Sequence, residues 1–510
     1  MKRNQLKIWA FVFGIALTLS SCSDWLDYTP KDKQTAQQQF STREGFYNAV
    51  NGIYNTVSSN TLYGYNLSYG PLDIMGQCYK MSSSNTTAYA YQKYAWTNSS
   101  VSSNFSSIWS SMYNTILNIN LVLDEVDKQG TTLSDVDAKV IKGEMLALRA
   151  FLHFDLLRLF GPVYKNKPHD LSVPFNDGIV AMRRDRLPAD EMIDNKLIPD
   201  LTTAQELLKG SDPVITSGPL NSDGGDDGNL LRYRQLRMNY YAVCLLKARV
   251  YLWKQDYTNA LAEAKKITDD ANVAKWFPFV ESSKLLANSI NPDRLFSTEC
   301  LFGFYVKPMS DIYLNSFSGS LDVATIMQPR KGYLNILFSS TGDYRRQSQW
   351  TGSSSSSGSE YDFIKYKGFT ANTTTPEFWA TYFGLMRISE AYYIAAESSL
   401  NLNDNKTDAA RYLNVILSAH GAKTVDATAS KADILQEIKM EYLREMRGEG
   451  QIFFMFKRFY QDFSSVFSWE TWETEPGNSI FNAAQEPSED DIYNLSNSRY
   501  VIPVPTSETN

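Results

Sequence analysis

The sequence predicts a mainly α-helical protein with tetratricopeptide-like helix pairs and an irregular, loop-rich side carrying a few short strands. Three observations carry that expectation. Apolar residues recur at helical spacing near both ends of the chain. Ala248, Tyr251, Tyr257, Ala260 and Ala264 stand at offsets of 0, 3, 9, 12 and 16, the small and aromatic positions of a tetratricopeptide pair. Between residues 277 and 380 the helical pattern breaks.

The first 22 residues carry an address. Lys2, Arg3 and Lys7 precede an apolar run of twelve residues, Ile8 to Leu19. A span needs roughly 20 apolar residues, so this run fits the core of a signal peptide, residues 1–21. Leu19-Ser20-Ser21-Cys22 has the form of a bacterial lipobox, with Cys22 as the acylated residue. Several acyl chains anchor a protein stably where one does not. Removing the three leader cations takes the formal charge from −7 to −10. The body is then expected to be tethered to a membrane through its lipid anchor only.

Elements follow in order. Asp24 to Lys33 is an extended leader, and Thr42 N-caps a helix reaching Ser58. Residues 59–107, rich in Ser, Asn, Thr and Tyr, are expected to be long loops, with a helix from Ile108 to Val126. Val140 to Phe160 is the strongest helical signal and stops at Gly161-Pro162. Glu191 to Leu208 is a helix bent or restarted at Pro199. Asp212 to Asn229 is a Gly/Asp/Ser loop. Its Asp223, Asp226 and Asp227 could hold calcium, but their spacing fails the EF-hand pattern, which favours a solvated hairpin. Helix pairs follow at 240–268 and, with Ala391, Ala395 and Ala396 on its first member, at 385–419. Glu299 to Val306 is a buried strand. Thr351 to Ser359 is a Gly/Ser surface loop, Ile434 to Phe459 is helical, Trp469 to Asp491 is an acidic aromatic loop, and Tyr500 to Pro505 is extended. Cys244 and Cys300 are small buried hydrophobes and Cys78 sits in a loop, which gives no disulfide framework.

Composition narrows the function. Over 510 residues, 43% are hydrophobic and 21% charged, which excludes a disordered or coiled-coil chain. The negative net charge argues against nucleic acid as a partner. His153, His169 and His420 are too far apart for a local metal motif. Aromatics reach 13%, with 31 Tyr and 10 Trp, a surplus of flat apolar faces with polar tips.

The segment Leu148-Arg149-Ala150-Phe151-Leu152-His153-Phe154-Asp155-Leu156-Leu157-Arg158-Leu159-Phe160-Gly161-Pro162-Val163 resembles the signature helix of the SusD/RagB family, surface lipoproteins of Bacteroidetes that capture nutrients. Further segments agree in order: Cys22-Ser23-Asp24-Trp25-Leu26-Asp27, Leu245 to Leu261, Arg387 to Glu397, and Glu441 to Arg458 with the closing Ile502-Pro503-Val504-Pro505 and Glu508. The sequence departs from the family where Ile452 follows Gly448-Glu449-Gly450-Gln451 in place of an Arg, where Met455 replaces a common Asp, and where Leu417 and Ser418 replace an Arg pair. The resemblance implies a SusD-like fold over residues 22–510. Residues 22–230 would form its N-terminal part. Residues 231–510 would carry the helix pairs, a binding-side insert at about 277–380 and the C-terminal SusD/RagB part. It further implies a cell-surface, outer-membrane location, an oligosaccharide or peptide ligand, and a SusC-like TonB-dependent barrel as partner. No enzyme activity and no cofactor are implied.

Sugar rings pack their C–H faces on Trp and Tyr while amides and arginines take their hydroxyls. Helix aromatics such as Tyr251, Tyr392 and Phe454 fit a core stripe, so loop aromatics are the informative ones. In the first loop region these are Tyr79, Tyr89, Tyr91 and Trp96, with Gln77 and Asn98 beside them. In the middle region they are Tyr333, Tyr344 and Trp350, with Arg346 as a polar partner. Catalytic readings are weak. Asp490-Asp491 and the Glu470/Glu473 pair read as solvated acids, and Gly352-Ser353 lacks nucleophile-elbow spacing. The alternatives to a glycan-capturing lid are a peptide-binding relative, a surface protein-interaction lipoprotein and a surface glycoside hydrolase.

Overall fold

The computed structural model describes residues 36–224, 229–286, 292–305, 309–329, 333–338, 342–352, 361–368, 382–460 and 497–508. The leader, Cys22, the aspartates 226 and 227, most of the Gly/Ser segment and the acidic loop 469–491 lie outside these residues.

Helix α1 (Arg43–Val57) begins as expected, with Thr42 Oγ1 accepting from Gly45 N at 3.1 Å. Residues 59–98 are not long loops. They fold into tight turns, the short helices Pro71–Met75 and Thr86–Gln92, and strand β1 (Tyr79–Lys80). Asn and Ser side chains supply the local bonds that let such polar sequence be buried; Asn66 Nδ2, for example, donates to Thr61 O at 3.1 Å. Helix α2 (Ser99–Lys128) starts nine residues before Ile108, because Val101 and Phe105 extend the buried stripe of Ile108 and Met112 backwards through the serines.

Helix α3 (Asp135–Phe160) is buried on nearly every face, so it shows no amphipathic stripe. Its buried charged residues are therefore partnered, as is the half-buried Arg149. Arg149 bonds Asp200 through Nε (2.8 Å) and Nη2 (2.7 Å). Tyr63 donates to Asp155 Oδ2 at 2.7 Å, and Arg158 Nη1 donates to Gln451 Oε1 at 3.0 Å. His153 Nε2 accepts from Asn176 N at 3.0 Å, which leaves Nδ1 to donate to Arg149 O at 2.9 Å. The ring is neutral, and burial pushes it down to about 3. Strands β2 (Leu171–Pro174) and β3 (Arg186–Pro188) pair antiparallel beyond it. The segment before Pro199 contains a π turn, Ile193–Leu197, and α4 (Ile198–Lys209) restarts at the proline, which has no N–H to give.

Helices α5 (Tyr240–Lys254) and α6 (Tyr257–Thr268) form the expected pair, turning through Gln255 in the left-handed region (φ 66°) and capped by Asp256. Ala248, Ala260 and Ala264 are fully buried between helices. Helices α7 (Ile388–Asn401) and α8 (Lys406–Ala419) form the second pair, and α6 packs directly on α7. The two pairs are thus neighbours in one stack, although the insert separates them in sequence. The insert leaves along β4 (Cys300–Tyr305) and returns along β8 (Tyr382–Arg387), which pair antiparallel. At their close approach a Cβ on Gly303 would stand 2.2 Å from Phe383 O, so glycine is required. Within the insert, β5 (Gln328–Pro329) pairs with β1, and β6 (Trp350–Gly352) pairs with β7 (Tyr361–Phe363).

The expected helix 434–459 is two helices, α9 (Lys431–Glu445) and α10 (Ile452–Phe459). Gly448 (φ 79°) and Gly450 (φ 72°) break it with left-handed backbone that other residues adopt only under strain. Ile452 and Met455, the departures from the family pattern, are core residues. The tail returns to α3, where Ile502 N donates to Leu159 O at 3.3 Å. One hydrophobic cluster runs from Phe40 to Ile502. Cys78, Cys244 and Cys300 are buried and form no disulfide among the described residues. Among the described residues no helix is long and apolar enough to cross a membrane.

Candidate functional site

The β1–β5 ladder joins the two regions that supply the aromatic candidates, placing Tyr79 opposite Pro329. Tyr79, Tyr333 and Trp350 then converge on one side chain, Arg447, in the turn after α9. The guanidinium carbon lies 5.1 Å from the Tyr79 ring centroid, 4.4 Å from Tyr333 and 5.1 Å from Trp350. Its Nη1 donates to Cys78 O at 3.1 Å. Burial opposes its charge, but Cys78, Tyr333, Tyr79 and Asp73 outweigh burial and hold its pKa above the ordinary value. Asp73 accepts from Gly448 N at 3.0 Å; burial pushes its carboxyl up to about 6 against the pull of Arg447.

This convergence corrects the expectation that these side chains present faces to solvent. Tyr79, Tyr333 and Trp350 are buried, and their rings pack on Arg447 and each other's neighbours. Gln77 is buried too, with Nε2 donating to Gln92 O at 2.8 Å. Tyr91 lies on the helix Thr86–Gln92, buried edge-on to Phe105 at 6.1 Å. Asn98 is committed to capping α2, accepting from Ser100 N at 3.0 Å and Val101 N at 3.3 Å. For Tyr79 and Tyr91 the physical reason is that a stretch rich in Ser and Asn reads as surface, whereas its aromatics are drawn into the core.

The remaining candidates are half-buried. Tyr89 has Lys93 Nζ 5.4 Å from its ring centroid. Trp96 packs edge-on to Phe105 at 5.8 Å and beside Tyr94 at 5.9 Å. Tyr344 rests on a small separate cluster of Val280, Leu285 and Phe296. Arg346 Nη1 donates to Leu334 O at 3.3 Å, and its guanidinium lies 5.6 Å from the Tyr361 ring. Two residues were missed. Arg447 sat unremarked inside an expected helix. Tyr361 stands on the strand after the Gly/Ser segment, where an alternating hairpin pattern could have signalled it.

Two surface clefts are lined by none of these side chains. One, of about 670 Å³, is acidic, with Asp343, Asp426, Asp433 and Glu437 facing Lys423 and Arg444. The other, of about 510 Å³, has Trp109, Tyr113, Met182, Arg183 and Arg184 in its walls. Met182 is 65% exposed, and Val180, two residues before it, is 64% exposed.

Stacked helix pairs bearing one irregular, aromatic-rich face define a helical scaffold protein. Residues 24–215 match a family model described as starch-binding associating with outer membrane, and residues 323–510 match the SusD family. The chain belongs to the SusD/RagB family. Solved structures share its fold. A SusD superfamily protein from Bacteroides thetaiotaomicron superposes with a TM-score of 0.64 at 21% identity, covering 92% of this chain and 97% of that one. A SusD-like carbohydrate binding protein from Bacteroides vulgatus gives 0.61 at 21% identity, covering 82% and 84%. Surface glycan-binding protein A from Bacteroides uniformis gives 0.62 at 17% identity, covering 91% and 96%. No curated protein matches the chain.

Proposed function

We propose that this protein is a surface lipoprotein, anchored through Cys22, that binds oligosaccharides and passes them to a SusC-like TonB-dependent outer-membrane barrel. The observation that carries the reading is the pair of SusD-family matches at the two ends of the chain, one of them described as starch-binding. The likeness in fold to a surface glycan-binding protein supports it. The protein acts by binding, without catalysis.

The ligand lies on the irregular face, where residues 86–96, 344–352 and Tyr361 flank the β1–β5 ladder. Trp96 and Tyr89 offer ring faces on one side. Tyr344 and Tyr361 offer them on the other, with Arg346 as a donor to hydroxyls. The buried trio around Arg447 serves this face from below by fixing the two segments relative to each other.

Calorimetry against oligosaccharides, starting with α-1,4-glucans, tests the site. Stacking on one ring is worth on the order of 1–2 kcal/mol, so Trp96→Ala should weaken binding roughly 5- to 30-fold with little change in melting temperature. Trp350→Ala should instead lower stability by about 3–5 kcal/mol, because it empties a buried site. Wild-type affinity in both Trp96→Ala and Arg346→Ala would put the site elsewhere. Cleavage of any glycan in proportion to protein would overturn the binding-only reading.

A further inference from the structure

One buried histidine lacks a hydrogen-bond partner for either ring nitrogen. His420, just after α8, is buried, and neither Nδ1 nor Nε2 is bonded among the described residues. Nε2 comes within 3.4 Å of Glu445 Oε2, at the end of α9. Beside them Glu299, in the turn before β4, accepts from Val280 N at 3.1 Å through Oε1, while Oε2 has no hydrogen bond. The closest approach of a cation to Glu299 Oε2 is Arg387 Nη1, at 3.6 Å. One polar atom from each of Glu299, His420 and Glu445 falls within 4.8 Å of the others. Buried groups left this bare are costly unless they share a cation.

The surrounding charges say which cation. From β8, Arg387 binds both carboxylate Oε1 and backbone O of Glu445, and its Nε reaches Glu449 at 3.0 Å. From the helix Tyr344–Gln349, Arg345 bonds Glu445 Oε2 at 2.8 Å, Glu441 Oε1 at 2.8 Å and Asp343 Oδ2 at 2.7 Å. Within α9, Arg444 bonds Glu441 at 2.6 Å and is shared with the more exposed Glu437. Lys365, after β7, pairs with Glu449, and from α7 Tyr393 donates to Glu441 Oε2 at 3.0 Å. The buried carboxylates of this network are Asp343, Glu299, Glu441, Glu445 and Glu449; its cations are Arg345, Arg387, Arg444 and Lys365. One negative charge is left over. A divalent metal would overshoot it and would stand against two guanidiniums that already hold both Glu445 oxygens.

We propose that Glu299 and His420 share one proton that completes this buried charge balance, so that the packing of α8 and α9 against the β4–β8 pair is a pH-sensitive latch. Burial pushes Glu299 up to about 7, with Glu445 adding and His420 and Arg387 opposing. Burial, with Arg345, would lower His420, but the Glu445 and Glu299 carboxylates together outweigh them and raise the imidazole above its ordinary value. Both folded values exceed the unfolded ones. The native state therefore keeps a proton that the unfolded chain has released. The stabilisation is complete at acid pH and is lost as pH rises through about 7 and above.

The test follows the urea midpoint of the full chain from pH 6 to 9. Wild type should lose stability over this range with a slope equal to release of about one proton. Glu299→Gln removes the surplus charge and should flatten the slope; an unchanged slope in Glu299→Gln overturns the proposal. Should that variant not fold, imidazole NMR of the wild-type chain decides, since it contains only three histidines. The His420 signal should titrate above pH 6.5, and a signal that stays constant from pH 5.5 to 9 overturns the shared proton. Zinc that raises the wild-type midpoint at pH 8, but not that of Glu299→Gln, would mean the trio holds a metal and would likewise overturn it.

Discussion

At the scale of single residues, Lys457 shows how burial decides what a charge is for. Its Nζ donates to three backbone carbonyls at the end of α3: Arg158 O at 2.7 Å, Leu159 O at 3.3 Å and Gly161 O at 2.8 Å. These are carbonyls that a helix C-terminus leaves without intrahelical partners, and the cation also meets the negative end of the helix dipole. All three lysine donors are used, while burial and Arg158 push its pKa well below the ordinary value. Lys457→Met keeps the length of the side chain and removes the donors. It should cost about 2–3 kcal/mol, read as a shift in the urea midpoint, and a shift under about 0.5 kcal/mol would show that water takes over the carbonyls. The Lys457-Arg458 pair is legible as a family feature in the sequence. Its role is not, because the partners are roughly 300 residues away along the chain.

At the scale of elements, the join between the two helix pairs rests on a buried ion pair. Arg249 on α5 meets Glu390 on α7 through two parallel bonds, Nε to Oε1 at 2.6 Å and Nη2 to Oε2 at 2.5 Å. Such pairs gain little over a well-packed apolar replacement, but breaking one leaves a charge stranded in the core. Arg249→Met should therefore destabilise by about 3–5 kcal/mol, whereas Arg249→Met combined with Glu390→Leu should recover most of that loss. Equal losses in the single and double variants would mean that packing, not stranded charge, sets the cost. The helix pairs themselves were readable because Ala and Tyr at fixed spacing have a local cause: small residues let helices approach. Their stacking was not readable, because the sequence between them gives no sign that β4 and β8 close the excursion. The break between α9 and α10 hid for a related reason. Gly448 and Gly450 look like tolerated helix glycines until the φ angles they supply are known.

For the whole molecule, one large core cluster joins segments far apart in sequence, from Phe40 to Ile502. An anchor at Cys22 would stand outside that core. Cys22→Ala should release the protein from membranes, read by fractionation in cells lacking the barrel, while leaving the melting temperature unchanged. Retention on membranes in that background would mean that something other than a lipid holds it. Sorting the aromatic surplus was the part of the site that needed three dimensions. Tyr79, Tyr333 and Trp350, expected to offer ring faces to a ligand, pack instead on Arg447 in the interior. Trp96, Tyr89, Tyr344 and Arg346 keep partial exposure.

What the sequence by itself determined is whatever has a local physical cause. Helical periodicity, the cap at Thr42, the stop at Gly161 and the Ala/Tyr spacing of the helix pairs each act within one or two turns of backbone. Together with the motif order, they were enough to indicate the fold and the family. The tertiary structure alone decided burial and partnership. Which loop aromatics face solvent, that a polar Ser/Asn stretch is interior, that five carboxylates and four cations share one dry cluster, and that His420 sits bare beside Glu299 all depend on contacts between distant segments. Burial is set by what the rest of the chain places over a residue, and no local pattern encodes that.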